Sequence, residues 1–240
     1  MRSLLNPKNF NCTTSYALER LNSVNVEKLE PGFQNLPVDP YIKDNYRFRK
    51  FSRFEISNQQ LVWLPHAQFL QSKAYNPLLG DVIREYEELD DELVQLQDFQ
   101  TIALEFFEFC KLCSTFKDIG VHQIRITADP QQKGNPAPEG IHRDGVDLVG
   151  IFCVNRSKLA GGETHLYRST HKSTPPSTHN GATQKREPIF RKILNPGELL
   201  TFSDHQFFHF TTPVYASSPE VGSRDVFVLT CPALPFPNRT

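Results

Sequence analysis

The second half of this chain is written in short runs of β-branched and aromatic residues. VHQIRITA (121–128), VDLVGIFCV (146–154), GETHLYR (162–168), FRKIL (190–194), ELLTF (198–202) and RDVFVLTC (224–231) have the length and composition of strands rather than helices. Turn chemistry separates them: QQKGNPAPEG follows the first, THKSTPPSTHNGATQKREP the third, and Asn195-Pro196-Gly197 links the fourth to the fifth. Short strands joined by tight turns pair antiparallel, and a set of six or more must hide its edges. A sandwich or jelly roll over residues 120–232 is the architecture this pattern allows.

Upstream the texture differs. Residues 1–40 carry little periodicity, and Pro31 to Pro40 reads as an extended connector. Within 81–117, Val82, Tyr86, Leu89, Leu93, Leu96, Phe99, Ala103, Phe106 and Cys110 recur at steps of three and four, which predicts a helical region with one apolar stripe. Its acidic first part, Asp81 to Glu92, suits a helix N-terminal half and a solvated face. The expected fold is α+β in one domain spanning 1–240: N-terminal helices packed on one sheet of an antiparallel β-core.

Charge narrows the partners. With 26 basic and 27 acidic side chains the net charge is −1, which argues against a general nucleic-acid or anionic-membrane binder. No apolar stretch is long enough to span a bilayer. The first residues, MRSLLNPKNFNCTTS, have no apolar core of a secretory signal, so a cytoplasmic protein is expected. The five cysteines, Cys12, Cys110, Cys113, Cys153 and Cys231, are odd in number and irregularly spaced. They read as reduced thiols, with Cys110 and Cys113 packed in the core. In YRFRKFSRFEI (46–56) aromatic and basic residues alternate. This reads as a strand with Phe on one side and Arg or Lys on the other, or as arginines directed into an acidic-ligand pocket.

The residues with chemistry to offer are among the eight histidines. In His142-Arg143-Asp144, just before a strand-like run, residues i and i+2 share a face, so an imidazole and a carboxylate can converge on one ion. A third ligand must come from elsewhere. His209, in FFHFTTPV, is the favoured candidate because Thr-Thr-Pro-Val ends its strand; His205 has the same parity and remains the competitor. Two His and one carboxylate leave open positions on an octahedral iron, the facial triad of non-haem Fe(II) oxygenases. Arg224, opening the last strand, can grip the remote carboxylate of a dicarboxylic co-substrate bidentately, unless it pairs with Asp225 or Glu220. There is no G-x-S-x-G elbow and no Gly-rich phosphate loop.

YRFRKFSRF, VHQIRI, PEGIHRDGVDLVGIFCVNR, GGETHLY, DHQFFHFTTP and RDVFVLT together resemble the 2-oxoglutarate/Fe(II) dioxygenases that hydroxylate free aliphatic amino acids, the bacterial isoleucine dioxygenase type. The resemblance runs from about Asp39 to Thr230. It implies a double-stranded β-helix, iron on His142, Asp144 and His209, and the 2-oxoglutarate carboxylate on Arg224. The implied co-substrates are 2-oxoglutarate and O₂, the implied partner a small amino acid such as leucine or isoleucine. Gln123 and Arg125 form a polar face in an apolar strand; they are expected either to line the barrel and hold a carboxylate or to make a structural ion pair. Arg143, between two ligands, should point away from the iron, toward a substrate contact or an outward salt bridge. A peptide hydroxylase with the same triad, a zinc hydrolase and a non-catalytic jelly-roll binding module are the competing readings. Oligomeric state stays open, a homodimer included.

Overall fold

In the computed structural model, which describes residues 10–12, 15–169 and 187–235, the short runs pair into antiparallel sheets. The strands are β1 (Tyr16–Arg20), β2 (Arg47–Ser57), β3 (Gln60–Trp63), β4 (Asp118–Ala128), β5 (Leu148–Ser157), β6 (Leu159–Gly161), β7 (Glu163–Arg168), β8 (Phe190–Ile193), β9 (Glu198–Ser203), β10 (Phe207–Thr211), β11 (Val214–Ala216) and β12 (Gly222–Cys231). Seven form one large sheet in the order β1-β9-β5-β12-β4-β2-β3, while β10-β7-β8 and β11-β6 form two small ones. Most of the turn segment expected at 170–188 lies outside the described residues.

Strand alternation sorts the side chains into two cores. On the inner face, Ile124 and Ile126 of β4, Val149 and Ile151 of β5 and Val226 of β12 pack with Leu166, Phe207 and Val214 from the small sheets. This layer joins the sheets face to face, as in a jelly roll. On the outer face of the large sheet, Val121, Phe152, Phe227 and Leu229 lie under α2 (Gln97–Cys113). The helix buries Phe99, Ile102, Ala103, Phe106 and Cys110, a stripe at helical spacing. Contact is so close that a Cβ on Gly150 would sit 2.6 Å from the Phe106 ring. The central strands are therefore buried on both faces.

Three sequence expectations need correction. The helical layer is not N-terminal, because β1, β2 and β3 precede it. Residues 81–117 are not one helical region: only α1 (Asp91–Val94) and α2 are α-helical there. The stretch before them spends its backbone groups elsewhere. Arg84 N–H donates to Phe69 O at 2.9 Å, Glu87 O accepts from Phe51 N–H at 2.8 Å, and Leu89 N–H donates to the Ser52 hydroxyl at 2.9 Å. A segment so paired cannot close i→i+4 bonds. The cysteines are not all thiols either. Cys12 and Cys113 form a disulfide across 101 residues of sequence, while Cys110, Cys153 and Cys231 are free and buried. Such a separation carries no spacing signature.

Candidate metal centre and its cavity

His142 and His209 are brought together by the backbone. In an isolated antiparallel bridge, His142 N–H donates to His209 O at 3.0 Å and His209 N–H to His142 O at 2.9 Å. Directly opposed residues of such a pair project to the same side. Both imidazole Nε2 atoms then point at one carboxylate, His142 at 3.7 Å from Asp144 Oδ1 and His209 at 3.6 Å from Asp144 Oδ2. The three side chains each offer a ligand atom, all within 4.8 Å of one another. His142 Nδ1 lies 3.0 Å from Gly140 O, which can only accept, so Nδ1 carries the proton and Nε2 is left for a cation.

Asp144 is aimed by a second carboxylate. The backbone N–H groups of Asp144, Gly145 and Val146 donate to Asp204 at 3.1, 2.8 and 3.2 Å. Gly145 closes this turn at φ +81°, where a Cβ would meet the Tyr75 ring at 2.8 Å. Burial and the Asp144 charge raise the Asp204 carboxyl to about 6, against the pull of its three N–H donors. Burial would lower His142, but the adjacent Glu139 charge and hydrogen bond, with Asp144, override it and hold the imidazole at about 9. Glu139 Oε1 is 3.0 Å from His142 Nε2. Burial and the His142 charge push His209 down to about 4. The two imidazoles thus sit beside the carboxylates of Glu139 and Asp144, with Asp204 behind Asp144, an acidic setting where a divalent cation would stand. The geometry and donor set fit a hard-to-borderline metal such as Fe(II).

The same cavity contains a basic lining. Arg47, Arg49, Arg84 and Arg224 reach it, along with Ile124, Ile126, Ile151, Val226 and Val228. Arg224 is 4% exposed, and its Nη2 is buried with no hydrogen-bond partner. Arg47 pairs with Asp39 at 3.3 Å. Arg49 donates to His122 Nδ1 at 2.7 Å, so that nitrogen is unprotonated; burial and the Arg49 charge hold His122 well below the usual imidazole range. Arg84 donates to Gln71 Oε1 at 2.8 Å, and Gln71 Nε2 donates to the Asp144 carbonyl and carboxylate at 3.1 and 3.2 Å.

Four other sequence candidates lie elsewhere. His205, 51% exposed at its side chain, contacts Asp147 at 3.0 Å rather than the His142–Asp144–His209 group. Gln123 and Arg125 are on the opposite face of β4 from cavity-lining His122, Ile124 and Ile126. Gln123 donates to Gly32 O, and Arg125 makes a bidentate pair with Asp225 at 2.7 and 2.8 Å. Neither reaches the cavity: of the two alternatives expected for this face, the barrel-lining one is corrected, and Arg125 makes the structural ion pair. Arg143 stacks on Phe208 and donates to His205 O at 2.9 Å, away from the ligand group. Asp204, Gln71, Arg84 and Glu139 were not anticipated. A carboxylate collecting three N–H groups, or an arginine inside an acidic stretch, leaves no local mark in sequence. Arg49 did leave one, in the alternation of YRFRKF.

Residues 30–230 match the profile of the 2OG-Fe dioxygenase family. Among curated proteins, the chain is 26% identical over 215 residues to 3(1)-hydroxy-L-isoleucine 4-dioxygenase of Pantoea ananatis, covering 85% of this chain and 80% of that one. It is 24% identical over 205 residues to L-isoleucine-4-hydroxylase of Bacillus thuringiensis, covering 82% and 79%. Among solved structures, a bsmA homolog from Methylobium petroleophilum superposes with a TM-score of 0.71 at 29% identity, covering 88% of this chain and 83% of that one. IDO from Bacillus thuringiensis gives 0.65 at 20% identity, covering 85% and 81%. A profile that takes in most of the chain, with a His-Asp-His group at the centre of a jelly-roll-like cavity, leaves one conclusion: the chain belongs to the 2OG-Fe dioxygenase family, enzymes that use Fe(II), 2-oxoglutarate and O₂.

Proposed function

We propose that this protein hydroxylates an unactivated C–H bond of a free aliphatic L-amino acid resembling leucine or isoleucine. The observation that carries the reading is one cavity holding both a converged His142–Asp144–His209 group and a buried, unpartnered guanidinium on Arg224. In this reading His142, Asp144 and His209 hold the iron, and Arg224 donates two parallel hydrogen bonds to the distal carboxylate of 2-oxoglutarate. Bound Fe(II), with 2-oxoglutarate and O₂, supplies an oxidant able to attack an aliphatic C–H bond, with succinate and CO₂ as co-products. The chain's own part is orientation and exclusion of water. Ile124, Ile126, Ile151, Val226 and Val228 line the cavity with branched apolar surface, which favours an aliphatic side chain and keeps the reacting centre dry. The amino-acid class draws on the two relatives, whose names specify isoleucine or hydroxyisoleucine as substrate.

The test is anaerobic loading with Fe(II) and 2-oxoglutarate, exposure to O₂, and side-by-side measurement of succinate and hydroxylated product over free amino acids and aliphatic peptides. Leucine or isoleucine should stimulate both equally. His142→Ala, Asp144→Ala and His209→Ala should lose iron binding and turnover, while His205→Ala keeps both. Stimulation by a peptide, with none by any free amino acid, would replace this reading with a peptide hydroxylase.

A further inference from the structure

The cavity has a second cationic pole that the roles above leave unused. Arg49, projecting inward from β2, and Arg84 are 6% and 2% exposed. Among the described residues no carboxylate lies within ion-pair distance of either, and the Nε of each is buried without a hydrogen-bond partner. Their planes rest on aromatic rings: the Arg49 guanidinium carbon is 4.3 Å from the Tyr86 ring centre, and that of Arg84 is 4.7 Å from that of Phe69. The neighbours that do touch them are neutral, His122 for Arg49 and Gln71 for Arg84. Two buried like charges without an anion are expensive, and rings on their faces leave N–H edges to meet one. The pole is also tied to the reaction centre, because Gln71 bridges Arg84 to Asp144.

We propose that Arg49 and Arg84 form the clamp for the substrate's own carboxylate, making an unblocked carboxylate a condition of binding. The assignment rests on the amino-acid reading above and deepens it. Arg224, on β12, serves the co-substrate, and the Arg49–Arg84 pair serves the substrate, so the two anions are sorted by separate poles of one cavity. Planar guanidiniums held by stacking suit a planar carboxylate, and neither an amide nor an ester supplies the charge they lack. An internal residue of a peptide is excluded for the same reason.

Calorimetric titration of the full chain, loaded anaerobically with Fe(II) and 2-oxoglutarate, tests this without turnover. L-Isoleucine should bind wild type, and L-isoleucinamide should bind about thirtyfold or more weakly, the minimum expected for leaving a buried charge unpaired. Arg49→Gln and Arg84→Gln should weaken L-isoleucine by a similar factor and erase the acid–amide difference, with 2-oxoglutarate affinity unchanged. Arg84→Lys keeps charge but not the fork and should recover only part of the binding. The amide comparison on wild type needs no variant, so a folding defect cannot obscure the answer. Equal binding of acid and amide, folded variants that retain L-isoleucine affinity, or variants that lose 2-oxoglutarate instead, each overturn the clamp while leaving the amino-acid reading intact. Wild type that binds 2-oxoglutarate but no free amino acid overturns that reading and the clamp with it.

Discussion

Asp204 shows how much of a metal centre can depend on a residue that never touches the metal. Its carboxylate gathers the N–H groups of three consecutive residues, the first of which is Asp144. Asp204→Ala leaves three donors, two of them buried, without an acceptor, at a cost of about 1–3 kcal/mol for each one that water cannot reach. Urea unfolding of the metal-free protein should therefore show a loss of about 3 kcal/mol or more. Metal titration should show a Kd about ten- to a hundredfold weaker, the usual effect of removing a partner that orients a ligand. An unchanged metal Kd in folded Asp204→Ala would mean that Asp144 is aimed by something else, with Gln71 the next candidate.

At the scale of elements, strand periodicity was legible and the choice of face was not. VHQIRI alternates as β4 does, yet both faces of that strand are buried, so hydrophobicity could not say which one looks into the cavity. The polar face, Gln123 and Arg125, turned out to be the outer one, where Gln123 Nε2 donates to Gly32 O and Arg125 pairs with Asp225. The inner face carries His122, whose role as a neutral acceptor for Arg49 depends on a strand far away in sequence. His142, Asp144 and His209 were easier to find because two of them are i and i+2 and the third precedes a strand-ending Thr-Thr-Pro. The apolar stripe of α2 was visible, but Tyr86 and Leu89, well before it, share its spacing without its hydrogen bonds. The disulfide tying Cys113 at the end of α2 to Cys12 gives a direct check. Of the five cysteines, three should react with a thiol reagent in denaturant without reductant, and all five after reduction. Five reactive thiols before reduction would mean that the helix end is not covalently tied.

For the whole molecule, a net charge of −1 conceals an interior that collects four arginines around one cavity. Such a cavity is destabilising when empty and stabilised by anions and a cation together. Fe(II) and 2-oxoglutarate, each at about a hundred times its Kd, should each add about 2.7 kcal/mol to unfolding. For a chain of this size that is a rise of about 5–10 °C in Tm per ligand, read by thermal melts under argon. Arg224→Gln should lose the 2-oxoglutarate increment and keep the metal one; a full increment in that variant would free Arg224 from its assigned role. The sheet order has a consequence of another kind. β12, the last strand among the described residues, lies between β5 and β4 at the middle of the large sheet. A nascent chain leaving the ribosome therefore presents β4 and β5 with their facing edges open, and the two halves of the sheet stay unjoined until β12 emerges and slides between them. Arg224 arrives on that strand, so the keystone of the architecture and the grip on the co-substrate are delivered in the same moment of synthesis.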